Sequence, residues 1–198
     1  YKEDICNENK IFEIIERHKP TKVIHLAAET HVDRSIDDPS DFVKSNINGT
    51  YSLLNSTYRY WKKLEDDEKN IFKLLIVSTD EVYGSLRPNE PPSDENSTYK
   101  PNSPYSASKA ACDHLARAWF KTFNLPVIVT NTSNNYGPWQ FPEKLIPLTI
   151  YNILNDLPIG VYADGKNVRD WIYVEDHVNC IIKIISNNYI YGRFNIGS

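Results

Sequence analysis

The sequence predicts an α/β fold: a doubly wound parallel sheet with helices on both faces. Three observations carry this. Short apolar runs recur at 23–28, 72–78, 126–131 and 193–196, and runs apolar throughout read as strands buried on both faces. Longer stretches with apolar residues at helical spacing separate them, which gives the alternation of an α/β sheet. Polar residues follow several of these runs at once, at the strand ends where ligands bind in such sheets.

Taken in order, Asn7 is placed to cap a helix running to about residue 18, with Ile11, Phe12, Ile14 and Ile15 on its apolar face and Pro20 beyond its end. Residues 23–28 form the next strand. Its small Ala27 and Ala28 allow either tight packing or the close approach of a flat ligand. Residues 29–35 read as a polar loop, either solvated or in contact with a ligand. A helix starts at 38–40 and runs to roughly 64, carrying Phe42, Val43, Ile47, Leu53, Leu54, Tyr58 and Trp61, with Asn46 and Asn48 interrupting its apolar face. The charged run 65–70 reads as a surface turn.

After the strand at 72–78 comes a long, proline-rich surface loop, 85–103. The helix that holds Tyr105 continues to about 123, with Leu115, Trp119 and Phe120 inward and His114 at the surface. Residues 126–131 form a strand, and 133–138 a loop of neutral hydrogen-bonding groups. Residues 143–154 are helical, with Pro147 kinking the helix or delaying its start. A short strand begins at 161–162, 164–167 turn the chain, 175–186 are helical and 193–196 close the pattern.

Composition narrows the class. The 198 residues carry a net charge of −4, with nothing basic to suggest nucleic acid and no apolar run long enough to span a membrane. No signal peptide is apparent. Cys6, Cys112 and Cys180 are odd in number and far apart, which reads as reduced thiols in a cytoplasmic protein, without a zinc site. The chain opens at Tyr1 and stops just after a strand, so it reads as a piece of a longer one.

Two stretches carry candidate chemistry. Thr79, Asp80 and Glu81 follow the 72–78 run, where a hydroxyl and two carboxyls serve either as caps or as catalytic groups. Tyr105 and Lys109 are four apart and share a helix face. An ammonium beside a phenol favours the phenolate and lowers a pKa that starts near about 10, which would make Tyr105 a base near neutral pH.

Together the segments HLAAETHVDRS, STDEVYG, YSASKA, SNNYGPWQFPEKLIPL and VRDWIYVEDH resemble the extended short-chain dehydrogenases that act on nucleotide sugars, most closely the dTDP-glucose 4,6-dehydratase branch. The resemblance covers nearly the whole chain. It implies a Rossmann-type sheet, here partial, with residues 1–142 in the NAD-binding domain. Residues 143–198 supply nucleotide-sugar-binding segments interleaved with the last Rossmann elements.

It also implies roles for single residues. Tyr105 takes the proton of the sugar C4 hydroxyl, Lys109 binds the nicotinamide ribose and holds Tyr105 ionised, and Thr79 hydrogen-bonds the C4 oxygen. Glu81 takes the C5 proton and Asp80 protonates the C6 hydroxyl as it leaves. For NAD the resemblance implies contacts from Asp4, Ile5, Leu26, Ala27, Ala28, Thr30, Ser45 and Asn135. For the nucleotide sugar it implies Thr30, Thr79, Asn134, Lys144, Leu145, Tyr162 and Arg169. A homodimer through the helices that start near 38 and 105 is implied for the full-length protein.

Departures bear on this reading. Gly160 and Ala163 stand where the family usually has proline and glycine. The seven glycines are nowhere spaced as the family's G-x-x-G-x-x-G loop, so the cradle for the NAD pyrophosphate is not expected within these residues. Alternatives are a nucleotide-sugar 4-epimerase, whose family members usually carry small residues at the Asp80–Glu81 positions, a dehydratase for another nucleotide, or a non-catalytic remnant.

Overall fold

The computed structural model describes residues 1–87, 89–161 and 164–198. Four strands form one parallel sheet in the order β1–β2–β3–β6: β1 Lys22–His25, β2 Lys73–Thr79, β3 Val127–Thr132 and β6 Gly192–Ile196. Helices flank it on both sides, so the α/β reading holds. The strand expected over 23–28 ends at His25, and 26–28 pass into the loop beyond it.

The apolar run of β2 reflects two cores, one on each face. Leu74 and Ile76 point to a cluster with Ile15 of α1 (Glu8–His18), Leu53 and Leu54 of α4 (Gly49–Trp61) and Ala116 of α6 (Pro104–Phe123). Leu75 and Val77 face Ile181 and Ile185 of α8 (Val174–Ser186). Strand side chains alternate between faces, and a sheet covered twice needs apolar residues at both parities. Asn7 caps α1 as expected, accepting from the Lys10 N–H.

Several local expectations change. The polar loop 29–35 contains a short helix, α2 (Val32–Asp37). The helix expected over 38–64 begins as α3 (Ser40–Phe42), passes through a π-helical segment at Val43–Asn48 and continues as α4. The wider π turn lets Asn46 point inward, and the polar interruption of the apolar face marks that segment. The charged run 65–70 forms helix α5 (Asp66–Ile71) rather than a turn. Its first turn is acidic, and the Glu68 carboxylate accepts from the Glu65 N–H, both favourable at a helix N-terminus. The loop after β3 holds strand β4 (Asn134–Tyr136), paired in parallel with β5 (Trp171–Tyr173). Helix α7 (Leu145–Leu154) runs between them in sequence. No helix among the described residues is long and apolar enough to cross a membrane.

Candidate active site

At the carboxyl end of β2 the chain turns through a single 3₁₀ turn, Asp80–Tyr83. Thr79 caps it: its hydroxyl accepts from the Glu81 N–H at 3.2 Å and donates to Asp80 Oδ1 at 3.3 Å. Val82 and Tyr83 are buried and anchor the turn against Ala110 of α6. Gly84 then leaves the turn at φ 84°, and a Cβ there would meet the Lys100 carbonyl oxygen at 2.2 Å, so only glycine fits. The sequence S-T-D-E-V-Y-G thus describes a capped turn that lifts two carboxyls off the sheet while two apolar side chains hold it down.

These groups face a cleft of about 470 Å³. Of the residues expected in the site, Leu26, Ala28, Thr30, Thr79, Asp80, Glu81, Tyr105, Lys109, Asn134, Asn135, Lys144 and Leu145 line it. They come from the loop after β1, the end of β2 and its turn, β4, α6 and the start of α7. Lys144 Nζ donates to the Thr30 carbonyl and hydroxyl at 3.3 and 3.4 Å. Next to it, Arg34 pairs with Glu143 at 2.6 Å, so the loop after β1 is clipped to the segment before α7.

Others do not reach the cleft lining. Asp4 is exposed, accepts from the Cys6 N–H and lies 3.8 Å from Lys44. Ile5 packs on the backbone at Gly49. Ala27 is exposed, and Ser45 lies in the π-helical segment, half-buried. Arg169 is exposed, yet its charge favours the ionised forms of Asp80 and Glu81. Tyr162 lies outside the described residues.

Sequence reasoning missed several residues of the cleft. Gln140 and His177 line it, and His177 is buried, which lowers its pKa. Gln140 Nε2 donates to the Asn135 carbonyl at 2.9 Å. The W-Q and E-D-H segments belong to the motifs quoted above, but nothing in their spacing separates these residues from loop and helix surface. In the sequence Asn46 shows only as an interruption of an apolar face. Its amide accepts from the Glu29 N–H at 2.8 Å and donates to the Glu29 carbonyl and to Ser108 Oγ, fixing the backbone that follows Ala28.

Burial shifts both carboxyls of the turn toward the protonated form. Burial raises the pKa of Asp80 and of Glu81, against the pull of Arg169 on both; Thr79 further opposes the rise at Asp80, and Lys144 opposes it at Glu81. Tyr105 departs from the expectation. Burial and then the Glu81 charge push its phenol well above the ordinary value, and a hydrogen bond with Thr79 only partly offsets them. The Lys109 ammonium lines the same cleft and donates to the Val77 carbonyl at 2.8 Å.

Three comparisons bear on what this cleft does. The profile of the family described as GDP-mannose 4,6 dehydratase matches residues 1–196. The dTDP-glucose 4,6-dehydratase of Haemophilus influenzae is 50% identical over 196 residues, covering 99% of this chain and 58% of that protein. A solved dTDP-glucose 4,6-dehydratase from Streptomyces venezuelae with NAD and TYD bound matches with a TM-score of 0.87 and 37% identity, over 99% of this chain and 57% of that one. A UDP-glucose 4-epimerase from Thermus thermophilus in complex with NAD has a TM-score of 0.89 but 27% identity, over 100% of this chain and 63% of that one. The chain thus spans less than two thirds of the length of each.

Proposed function

Since this chain belongs to the GDP-mannose 4,6 dehydratase family, we propose that it carries the catalytic centre of an NAD-dependent dTDP-glucose 4,6-dehydratase, a lyase of nucleotide-sugar metabolism. The observation that carries the reading is that two carboxyls and a tyrosine share one cleft. Loss of water across C5 and C6 needs an acid for the leaving hydroxyl and a base for the C5 proton. A 4-epimerase needs neither.

The residues present fit part of NAD. Buried polar atoms of the cleft, Asn135 Oδ1, Gln140 Oε1 and His177 Nε2, have no hydrogen-bond partner among the described residues. Unpaired buried groups of this kind call for a polar ligand. Lys109, Asn135 and the small Ala28 would hold the nicotinamide and its ribose, with Leu26 and Thr30 beside them. Asp4, Ile5, Ala27 and Ser45 would lie toward the adenosine. NAD bound there would supply the hydride acceptor for the sugar and the donor for its return.

The chain's own groups handle the protons. Tyr105 removes the proton of the C4 hydroxyl, and Thr79 bonds the C4 oxygen. Glu81 takes the C5 proton, and Asp80 gives its proton to the C6 oxygen, which leaves as water. The raised pKa of Asp80 suits an acid that must hold its proton. Tyr105 must ionise against burial and then the Glu81 charge, and in this reading Lys109 supplies the opposing cation. Thr30, Asn134, Lys144, Leu145, Tyr162 and Arg169 would hold the nucleotide. Arg169 is suited to a diphosphate by its planar, permanently charged fork. Pairing of two copies through α4 and α6 is part of the same reading, supported by the exposed Tyr51 and Phe123 on those helices.

The test is a chimaera in which this chain replaces the matching segment of the Haemophilus influenzae relative, supplied with dTDP-glucose deuterated at C4. Deuterium at C6 of a 4-keto-6-deoxy product is expected. Deuterium retained at C4 of an epimerised sugar, or no turnover by a folded chimaera, overturns the reading.

A further inference from the structure

Tyr105 and Lys109 belong to a stripe on α6 whose next member, at the same spacing of four, is Asp113. Residues so spaced share a helix face. Asp113 is only 5% exposed, and a carboxyl in that position is costly unless hydrogen bonds compensate. One of its oxygens, Oδ2, accepts from the Tyr99 hydroxyl at 2.7 Å and from Asn131 Nδ2 at 2.9 Å. The same Asn131 amide donates to the Thr79 carbonyl at 3.2 Å.

Thr79 is where the register of β2 with β3 ends. The residues beyond it, Asp80 and Glu81, have no further strand pairing to hold them, so side-chain bonds take over. Tyr99 arrives from the long 85–103 loop, and the next residue, Lys100, donates its N–H to the Val82 carbonyl at 2.9 Å. The turn is therefore gripped from β3 through Asn131 and from the loop through residues 99 and 100. Asp113 is the acceptor common to both grips.

We propose that Asp113 is a positioning residue, which through Asn131 and Tyr99 fixes the Thr79 carbonyl and so sets where the turn presents Asp80 and Glu81. It touches neither substrate nor cofactor in this role. The kinetic arm of the test rests on the dehydratase reading; the exchange arm does not.

Asp113→Asn keeps an oxygen that can accept from both donors, whereas Asp113→Leu keeps the branched shape and removes the acceptor. Hydrogen exchange followed on the 198-residue chain is expected to speed up about tenfold or more in segment 79–84 of the Leu variant, the scale of a lost buried hydrogen bond. Exchange in α1 should not change, and the Asn variant should match the unsubstituted chain. In the chimaera, Asp113→Leu is expected to lower kcat on the order of 100-fold, as sub-ångström to ångström misplacement does, with KM within about threefold, while Asp113→Asn retains most of kcat.

Unaltered exchange and turnover in Asp113→Leu overturn the proposal. So do equal losses in both variants, which would assign the effect to charge, and a uniform rise in exchange through α1, which would make the role merely structural. If Asp113→Leu does not fold, Tyr99→Phe removes one donor alone and should still speed exchange at 79–84; no change there overturns the proposal. An unsubstituted chimaera without turnover refutes the dehydratase reading and leaves the exchange result standing.

Discussion

Helix α6 and helix α7 both contribute to the cleft, yet the protein holds them differently. α6 buries Lys109, Ala110, Cys112, Asp113 and Ala116, and its polar residues are tied down: Lys109 to Val77, Ser108 to Asn46, Asp113 to Asn131. α7 is apolar along most of its ten residues and buries none of them, with Leu154 at 77% and Ile153 at 58% exposure. A helix that is apolar all round is built to be covered on more than one side. The difference teaches where the work is divided. Groups that move protons stand on elements the core fixes. Groups assigned to the nucleotide, Lys144 and Leu145, come from the start of an element these residues do not pack.

The largest test of that division is Tyr105→Phe in the chimaera, which keeps the ring and removes the base. Turnover is expected to fall by about 100- to 10,000-fold, while binding of a dTDP-sugar measured by calorimetry stays near that of the unsubstituted chimaera. Loss of binding instead of turnover would break the comparison, since it would make α6 part of the nucleotide site.

Asp80→Asn and Glu81→Gln come next. Each should still allow oxidation at C4, seen in a single turnover as reduced cofactor, and slow the loss of water by about 100-fold or more. Near-normal product formation in both would show that the turn is only a cap.

How much of this was legible in the sequence follows the same line. The run at 72–78 announced β2 because a strand buried on both faces has to be apolar at both parities. The Tyr105–Lys109 pair could be placed because helical spacing is local. Asp113 continues that spacing and could have been found by extending the stripe one more turn, but its partners Tyr99 and Asn131 come from a loop and a strand that only the fold brings together. Strands β4 and β5 were hidden because each is three residues long and pairs across more than thirty residues of sequence. The net shift at Tyr105 was not legible because spacing shows the ammonium of Lys109 but not the burial of the phenol or the Glu81 carboxyl that the turn brings to it. The π-helical turn left one trace, two asparagines on an apolar face.

A smaller effect concerns acid stability. His25 is buried beside the Thr50 hydroxyl, and burial, then the Lys109 charge, lowers its pKa to about 4. An unfolded histidine titrates near about 6.5. Between these values the unfolded chain binds a proton that native His25 refuses, so stability is present above about pH 6.5 and is lost as pH falls toward about 4. The full effect is on the order of 3 kcal/mol. Thermal melting of the 198-residue chain against pH should show this slope, and His25→Gln should flatten it; the buried His177, also lowered, adds in the same direction. An unaltered slope in His25→Gln would place the acid-sensitive step elsewhere.

The smallest expected effect is the sharpest test of the contrast between the two helices. Leu54 of α4 is fully buried, at 0% exposure, in the cluster shared with α6, and Leu54→Ala should cost about 2–5 kcal/mol through lost burial and a residual cavity. Leu154 closes α7 with most of its side chain in solvent, so Leu154→Ala deletes the same atoms but removes almost no contacts. Its cost in the 198-residue chain should stay within about 0.5 kcal/mol, by urea unfolding followed at constant m-value. The two substitutions share their chemistry and differ only in what surrounds the leucine, so their ratio measures packing alone. A Leu154→Ala cost that approaches that of Leu54→Ala would mean that α7 is covered in solution, by a second copy or by the chain itself. It would then belong with α6 among the elements the fold holds rigid.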